Sequence, residues 1–287
     1  MPKDAVPALS DATRVFVDDP GATMSLSIYL LMLPSWLAIL LLTAIAVSFS
    51  IVGFLVVHRF IPVKIRQIHN DVAGFIFATL GVTYGVMLAF VVIVVWQQFN
   101  DAEVNAENES SVALLLYKDI ITYPNKVASK TMQEVYLGYL RKSVEQPEER
   151  PNQRSYEESM ATINQLLLII DGVIPESSHE QILYTQILQN MNELTKYRNL
   201  RHQAASSTLP SVIWIGVLVG AIMTIGFTFL FGTENVWAHI TMVSLLAALI
   251  AVVIYVVIEL EYPMIGNVKV GIPYSYHKIL EFAAAKS

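Results

Sequence analysis

The sequence has no cysteine. Disulfides, thiol catalysis and cysteine-ligated metal or iron–sulfur centres are thereby excluded, and the redox compartment is not written in the chain. Charge is scarce as well. Only 15% of the residues are charged and 54% are hydrophobic, where soluble domains carry ~25% charged residues. With a mean hydropathy of +0.52, the composition is that of a membrane protein. Basic residues are in deficit, giving a net charge of −6. That balance argues against nucleic acid as a partner and against tight docking on anionic headgroups. Catalytic signatures are missing too. The chain has no glycine-rich phosphate loop, no nucleophile elbow and no H-E-x-x-H, and its histidines at 58, 69, 179, 202, 239 and 277 scatter without ligand spacing. The expectation is a protein that is not an enzyme, with no cofactor and no metal.

Two further absences are local. No proline falls between Pro62 and Pro124, and no glycine between Gly85 and Gly138. Val72 to Trp96 also lacks any charged residue, and this run exceeds the ~20 residues needed to cross ~30 Å of hydrocarbon. After Trp96 come Gln97, Gln98, Asn100, Asp101, Glu103, Asn105, Glu107, Asn108 and Glu109. One helix, part in lipid and part in water, is predicted to run unbroken to about Tyr123, where Pro124 stops it.

The remaining chain is laid out around that helix. Residues 1–27 form a polar tail, with Asp4, Asp11, Asp18 and Asp19 against Lys3 and Arg14, rather than a cleaved signal. Spans are predicted at 28–58, 72–96, 209–231 and 236–258. A basic loop (59–71) separates the first two, and a tail (259–287) closes the chain. Residues 97–208 form a polar insert read as a helical bundle. Its predicted apolar faces are Val112, Leu115, Leu116 and Ile120; then Val127, Val135, Tyr136, Tyr139 and Leu140; then Tyr156, Met160, Ile163, Leu166, Leu167 and Ile170; then Ile182, Leu183, Ile187, Met191, Leu194 and Tyr197. Ser177 and Glu180 have capping-box spacing. The fold class is an all-α integral membrane protein, with four transmembrane helices in two hairpins and a helical extramembrane domain between spans 2 and 3. The basic loop points to the cytoplasm by the positive-inside rule, but Lys196, Arg198 and Arg201 weight the opposite face.

Several features within this layout could carry function. Gly74, Ala78, Gly81, Gly85 and Ala89 share one face of span 2, and Gly216, Gly220, Thr224 and Thr228 one face of span 3. Such faces let helix backbones approach closely, within one bundle or between subunits. Thr79 and Thr83 are candidate pore-facing hydroxyls, or satisfy themselves on their own helix carbonyls. Asp101, Glu103, Glu107 and Glu109 form an acidic run. It is either a solvated helix face or, if several copies surround an axis, rings of carboxylates at a pore mouth. His239, near Trp237, reads as an interfacial residue. No charge sits mid-membrane, so proton-coupled and voltage-sensing mechanisms are not expected.

Three stretches carry a family likeness: His69 to Val91, Trp96 to Glu107, and Leu209 to Trp214 with Glu261-Tyr262-Pro263-Met264-Ile265-Gly266. On these the chain resembles a family of bacterial proteins described as bestrophin-like. Family members usually show Asp and Phe at the positions of Glu261 and Met264. The resemblance marks Glu261, Pro263 and Gly266 as motif residues. It implies a multi-pass protein of the bacterial inner membrane, a homo-oligomer whose partners are the lipid bilayer and inorganic ions. The family name points to bestrophins, which are oligomeric ion channels. The function expected is a passive ion channel with an acidic pore mouth. The alternative is a non-conducting membrane scaffold whose insert binds a partner.

Overall fold

A computed structural model describes residues 27–145 and 153–285, and all of their regular structure is helical. The tail expected over 1–27 lies outside the described residues except for its last position. A helical turn at residues 27–31 (α1) precedes α2 (Ser35–Phe60), α3 (Val63–Ile68) and α4 (Asn70–Thr122). The insert continues with α5 (Lys126–Glu145), α6 (Gln153–Asp171) and α7 (Ser178–Ser206). The membrane layer resumes with α8 (Ser211–Thr228) and α9 (Val236–Glu261), and α10 (Tyr274–Ala284) closes the chain. Four helices are long and apolar enough to cross a membrane. They fall in two hairpins around the insert, as expected. The basic loop differs from expectation, because it folds into the short helix α3.

Helix α4 has 53 residues, roughly 80 Å at 1.5 Å per residue. With no proline or late glycine to break its ladder, it crosses the lipid and continues through the insert. It packs on α8 and α9 in the membrane layer and on α5, α7 and α10 outside it. One core lies in each layer. The membrane core includes Phe54, Tyr84, Leu88, Val95, Val217, Ala247 and Val257. The insert core includes Leu116, Ile120, Met132, Tyr136, Tyr139, Ile163, Leu166, Ile170, Ile187, Met191 and Leu194. Four residues assigned to apolar faces lie outside it, and the side chain of Tyr156 lies outside the described residues. Tyr197 is half-buried, and Leu115, Val127 and Ile182 are exposed, because α4 buries Leu116 and Tyr117 instead of Leu115, and Val127 and Ile182 sit near helix starts. Ser177 caps α7 by accepting from the Glu180 N–H (3.2 Å), while the Glu180 carboxylate accepts from Glu176 N–H (2.8 Å). The box thus closes one residue earlier than its standard form.

Helix α8 is short for a span and broken from α7 over residues 207–210. Orphan backbone groups at such ends need partners, since lipid offers none. At the break, the Gln98 amide donates to the α7 carbonyl of Ala204 (3.2 Å) and to that of Ser207, and Glu261 accepts from Leu209 N–H at 2.8 Å. At the other end, Arg66 donates to the carbonyls of Phe229 (2.9 Å) and Phe231 (3.2 Å). His239 Nε2 bonds the Thr228 carbonyl at 3.0 Å, and Asn70 exchanges two bonds with the Gly232 backbone. A carbonyl can only accept, so His239 carries its proton on Nε2. The ring is buried, 3% exposed, and stacks on Phe54 at 4.3 Å. His239 is therefore not the interfacial residue expected. It is an internal cap for α8.

Gly232 lets α3 come this close. A Cβ there would lie 2.5 Å from Gln67 N and 2.8 Å from Val63 O, both backbone atoms. At Gly226 the same Cβ would meet nothing within 4 Å. Gly232→Ala should therefore destabilise the protein by about 2 kcal/mol or more, the scale of core overpacking. Gly226→Ala should shift the unfolding midpoint little. Thermal unfolding in detergent, with the two variants side by side, checks this.

Candidate functional site

The two sides of α4 differ along its whole length. Tyr84, Leu88, Val91, Val95, Phe99, Ala102, Ala106, Glu109, Ala113 and Leu116 are buried and repeat at helical spacing. On the opposite side Val82, Val86, Ile93, Gln97, Asn100, Val104 and Ser111 are exposed. This uncovered stripe is apolar up to Trp96 and polar beyond it. Among the described residues, no other element covers it.

The candidate pore residues divide over the two flanks of the stripe. At 100° per residue, Thr79, Thr83 and Asp101 lie on one flank. Glu103 and Glu107 lie on the other, roughly 120° away. All five are exposed in the chain. Thr79 Oγ1 donates to the Phe75 carbonyl (3.2 Å) and Thr83 Oγ1 to the Thr79 carbonyl (2.9 Å), which satisfies both hydroxyls locally. The structure thus does not gather the threonines and the glutamates on one line.

The glycines divide as well. Gly74, Gly81 and Gly85 sit on the Glu103 flank, and a Cβ on any of them would meet nothing within 4 Å. They do not serve packing inside the chain. Gly220 does, because its Cβ would fall 2.5 Å from the Tyr84 ring, and that of Gly216 would reach Met87 Sδ at 3.8 Å. The Tyr84 hydroxyl donates to the Val217 carbonyl at 3.1 Å, tying α4 to α8. Outward of this contact, on the Thr83 flank, a groove of about 580 Å³ runs between the two helices, lined by residues including Ile76, Thr79, Thr83, Val219 and Thr224. Thr224 Oγ1 is buried there without a hydrogen-bond partner.

Glu109 leaves the acidic run altogether. Its side chain is fully buried and meets Arg201 Nε at 2.6 Å. The Tyr276 hydroxyl of α10 donates to its other oxygen at 2.6 Å, and Tyr139 lies 3.1 Å from Tyr276. Burial first, and then the Glu109 charge, push the Tyr276 hydroxyl well above the ordinary tyrosine range. It stays protonated as the donor to Glu109 and so accepts from Tyr139. The pairing spans 92 positions, beyond the reach of any local pattern.

The motif at the end of α9 is built on two buried carboxylates. Glu261 accepts from Leu209 N–H and from the Trp214 indole at 3.1 Å. Glu259, which the sequence did not single out, accepts from the Tyr255 hydroxyl (2.7 Å) and from the N–H groups of Asn267 (2.8 Å) and Val268 (2.9 Å). Gly266, at φ +99°, turns the backbone so that those two N–H groups face the carboxylate. A Cβ on Gly266 would press on Glu259 Oε1 at 2.9 Å. The Pro263 carbonyl accepts from Val270 N–H at 2.7 Å and closes the loop. A carboxylate followed by a tight loop with glycine was the signal that could have marked Glu259. Among the described residues, no group of three or more His, Asp or Glu side chains is placed to hold a metal ion.

A family model for the bestrophin-like domain matches residues 44–271. The chain belongs to the bestrophin-like family. Its fold is similar to the crystal structure of a point mutant of a bacterial bestrophin homologue from Klebsiella pneumoniae. The two share 11% identity and a TM-score of 0.63, over 85% of this chain and 98% of that one. A crystal structure of a membrane protein bearing a single substitution is similar at 11% identity and a TM-score of 0.58, over 85% and 96% of the two chains. No curated protein matches.

Removing Glu109 would take from Arg201 the buried carboxylate it meets at 2.6 Å. Glu109→Ala should cost about 3–5 kcal/mol, the scale for breaking a buried pair from one side. Tyr276→Phe, which keeps the ring and deletes the hydrogen bond to the Glu109 charge together with the acceptor for Tyr139, should cost about 1.5–3 kcal/mol. Denaturant unfolding followed by circular dichroism checks the order of the two.

Proposed function

We propose that this bestrophin-like chain is one subunit of a homo-oligomeric, passive ion channel of the bacterial inner membrane, with its path along the uncovered side of α4. The observation that carries the reading is α4 itself. A single rigid helix leaves one continuous side unpartnered through both layers, apolar in the membrane and polar beyond it. The same helix lies within the family match, and the family name points to channels. Asp101, Glu103 and Glu107 stand exposed where α4 leaves the membrane. Glu109 is neutralised by Arg201, so three carboxylates remain at the mouth before Lys118, the next basic residue along α4. Rings of carboxylates attract cations and repel anions, so the channel is read as cation-preferring. No charged side chain lies mid-span, which fits passive conduction over a proton-coupled cycle.

The purified protein in liposomes tests this, wild type beside Glu103→Gln with Glu107→Gln. Wild-type flux with potassium favoured over chloride is expected, and the preference should fall several-fold in the double variant as fixed charge is removed. Flux with chloride favoured would overturn the cation reading. Absence of flux from folded, inserted protein would replace the channel with a membrane scaffold.

A further inference from the structure

The end of α8 away from the insert is held by a buried cation whose partners are all neutral. Arg66 of α3 is 5% exposed. Its Nη1 donates to the carbonyls of Phe229 (2.9 Å) and Phe231 (3.2 Å), and its Nη2 meets His58 Nδ1 of α2 at 2.9 Å. A guanidinium only donates, so His58 Nδ1 accepts and the ring is neutral. We infer that His58 and Arg66 form an acid-released latch. Protonation of His58 parts α2 from α3 and frees the carbonyl end of α8.

The neutral ring is the form that fits. A second proton on His58 goes to Nδ1, the atom on which Arg66 donates. The hydrogen bond is then lost and two positive charges face each other where water is scarce. Arg66 has no reserve there, because its Nε is already buried without a partner. Moving the guanidinium out takes the donor from Phe229 and Phe231, and lipid offers those carbonyls none.

The surroundings supply no charge to offset the added proton. Across the Phe54 ring from His58 lies His239 of α9, with centroid distances of 5.5 Å and 4.3 Å to the two imidazoles. Helix α8 has no titratable residue. Arg59, Lys64, His69, Asp71 and Glu234 are all exposed. The buried carboxylates Glu109, Glu259 and Glu261 belong to the insert side.

His239 does not share this sensitivity. Its Nε2 donates to the Thr228 carbonyl, and its Nδ1 lies 3.1 Å from Thr233 Oγ1. The Thr233 hydroxyl also reaches the Asn235 carbonyl at 3.3 Å. A hydroxyl rotates to suit its neighbours. It donates to Nδ1 when the ring is neutral, and turns to Asn235 when Nδ1 carries a proton. Both states of His239 are thus hydrogen-bonded, whereas His58 keeps Arg66 in only one. Release would also reach α4, because Asn70 in its first turn exchanges two bonds with Gly232 just beyond the latch.

Hydrogen exchange read by mass spectrometry on the full chain in vesicles tests this. Exchange over residues 226–233 is divided by that over 186–195 of α7 in the same sample, so the intrinsic pH dependence cancels. The two conditions are about pH 7.5 and about pH 5.5, on either side of where histidine gains its proton. In the wild type the ratio should rise several-fold on acidification. His58→Gln keeps an acceptor for Arg66 and cannot be protonated, so its ratio should stay level. His239→Gln keeps a donor for Thr228 and should respond as the wild type does. A level ratio in the wild type would overturn the inference without any variant. An equal rise in His58→Gln would overturn it by placing the acid response elsewhere, and loss of the rise in His239→Gln would overturn it by moving the response to that ring. Flux is read separately. In a conducting wild type it should change several-fold between the two conditions and stay level in His58→Gln, and equal flux in both conditions would overturn the link to α4. The rise in exchange without any flux keeps the latch and removes the channel.

Discussion

A helix that begins and ends at the boundary between water and lipid has up to eight backbone groups without a partner, and lipid supplies none. Side chains from elsewhere meet that requirement at the break between α7 and α8 and at the carbonyl end of α8. Gln98 of α4 and Glu261 of α9 take the break. Arg66 of α3, His239 of α9 and Asn70 of α4 take the end of α8. These caps come from three elements, so satisfying them fixes α3, α4 and α9 around α8. The basic side chains also sit at the carbonyl end, where the helix dipole favours positive charge.

The insert is fixed to the membrane layer by a different logic. Its first and last helices grow from spans, α4 without a break and α7 across residues 207–210. The Glu109–Arg201 pair joins these two helices, with Tyr276 bringing α10 against the same carboxylate. A buried pair contributes little net stability compared with apolar packing of the same volume. What it does here is set register, because a slip of one residue between α4 and α7 would pull Glu109 and Arg201 apart.

Patterns within one helix were legible in the sequence, and partners between helices were not. The spans, the unbroken α4, the stop at Pro124 and the Ser177 cap are all local, set by hydropathy, by the absence of proline or by spacing of three. Glu109 looked like its neighbours Glu103 and Glu107 because a carboxylate four turns outside the membrane is ordinarily solvated. Its burial depends on Arg201, and nothing local marks that. His239 failed similarly, since proximity to Trp237 suggested an interface while the ring turns inward to the end of α8. The motif Glu261, Pro263 and Gly266 was visible, but its purpose was not. Its hydrogen bonds reach back to Leu209 and Trp214, and its glycine serves Glu259. Leu115 shows the limit of periodicity, because the buried line of α4 takes the expected Leu116 together with Tyr117 and leaves Leu115 exposed.

The chain buries carboxylates although it has few cations. Glu259 and Glu261 receive backbone N–H groups, a tyrosine hydroxyl and an indole. Several donors converging on a carboxylate offset part of the cost of burying it. Those donors come from the α7–α8 break and from the loop after α9. The break therefore has its own cap, Glu261, whereas α4 crosses the same level with its ladder intact. The two connections between layers are unequal: α4 is a continuous rod, and the α7–α8 junction is a short irregular segment held by side chains. Relative movement of the layers would meet a full helix on one side and a few side-chain hydrogen bonds on the other, so α4 sets the frame and the junction conforms to it.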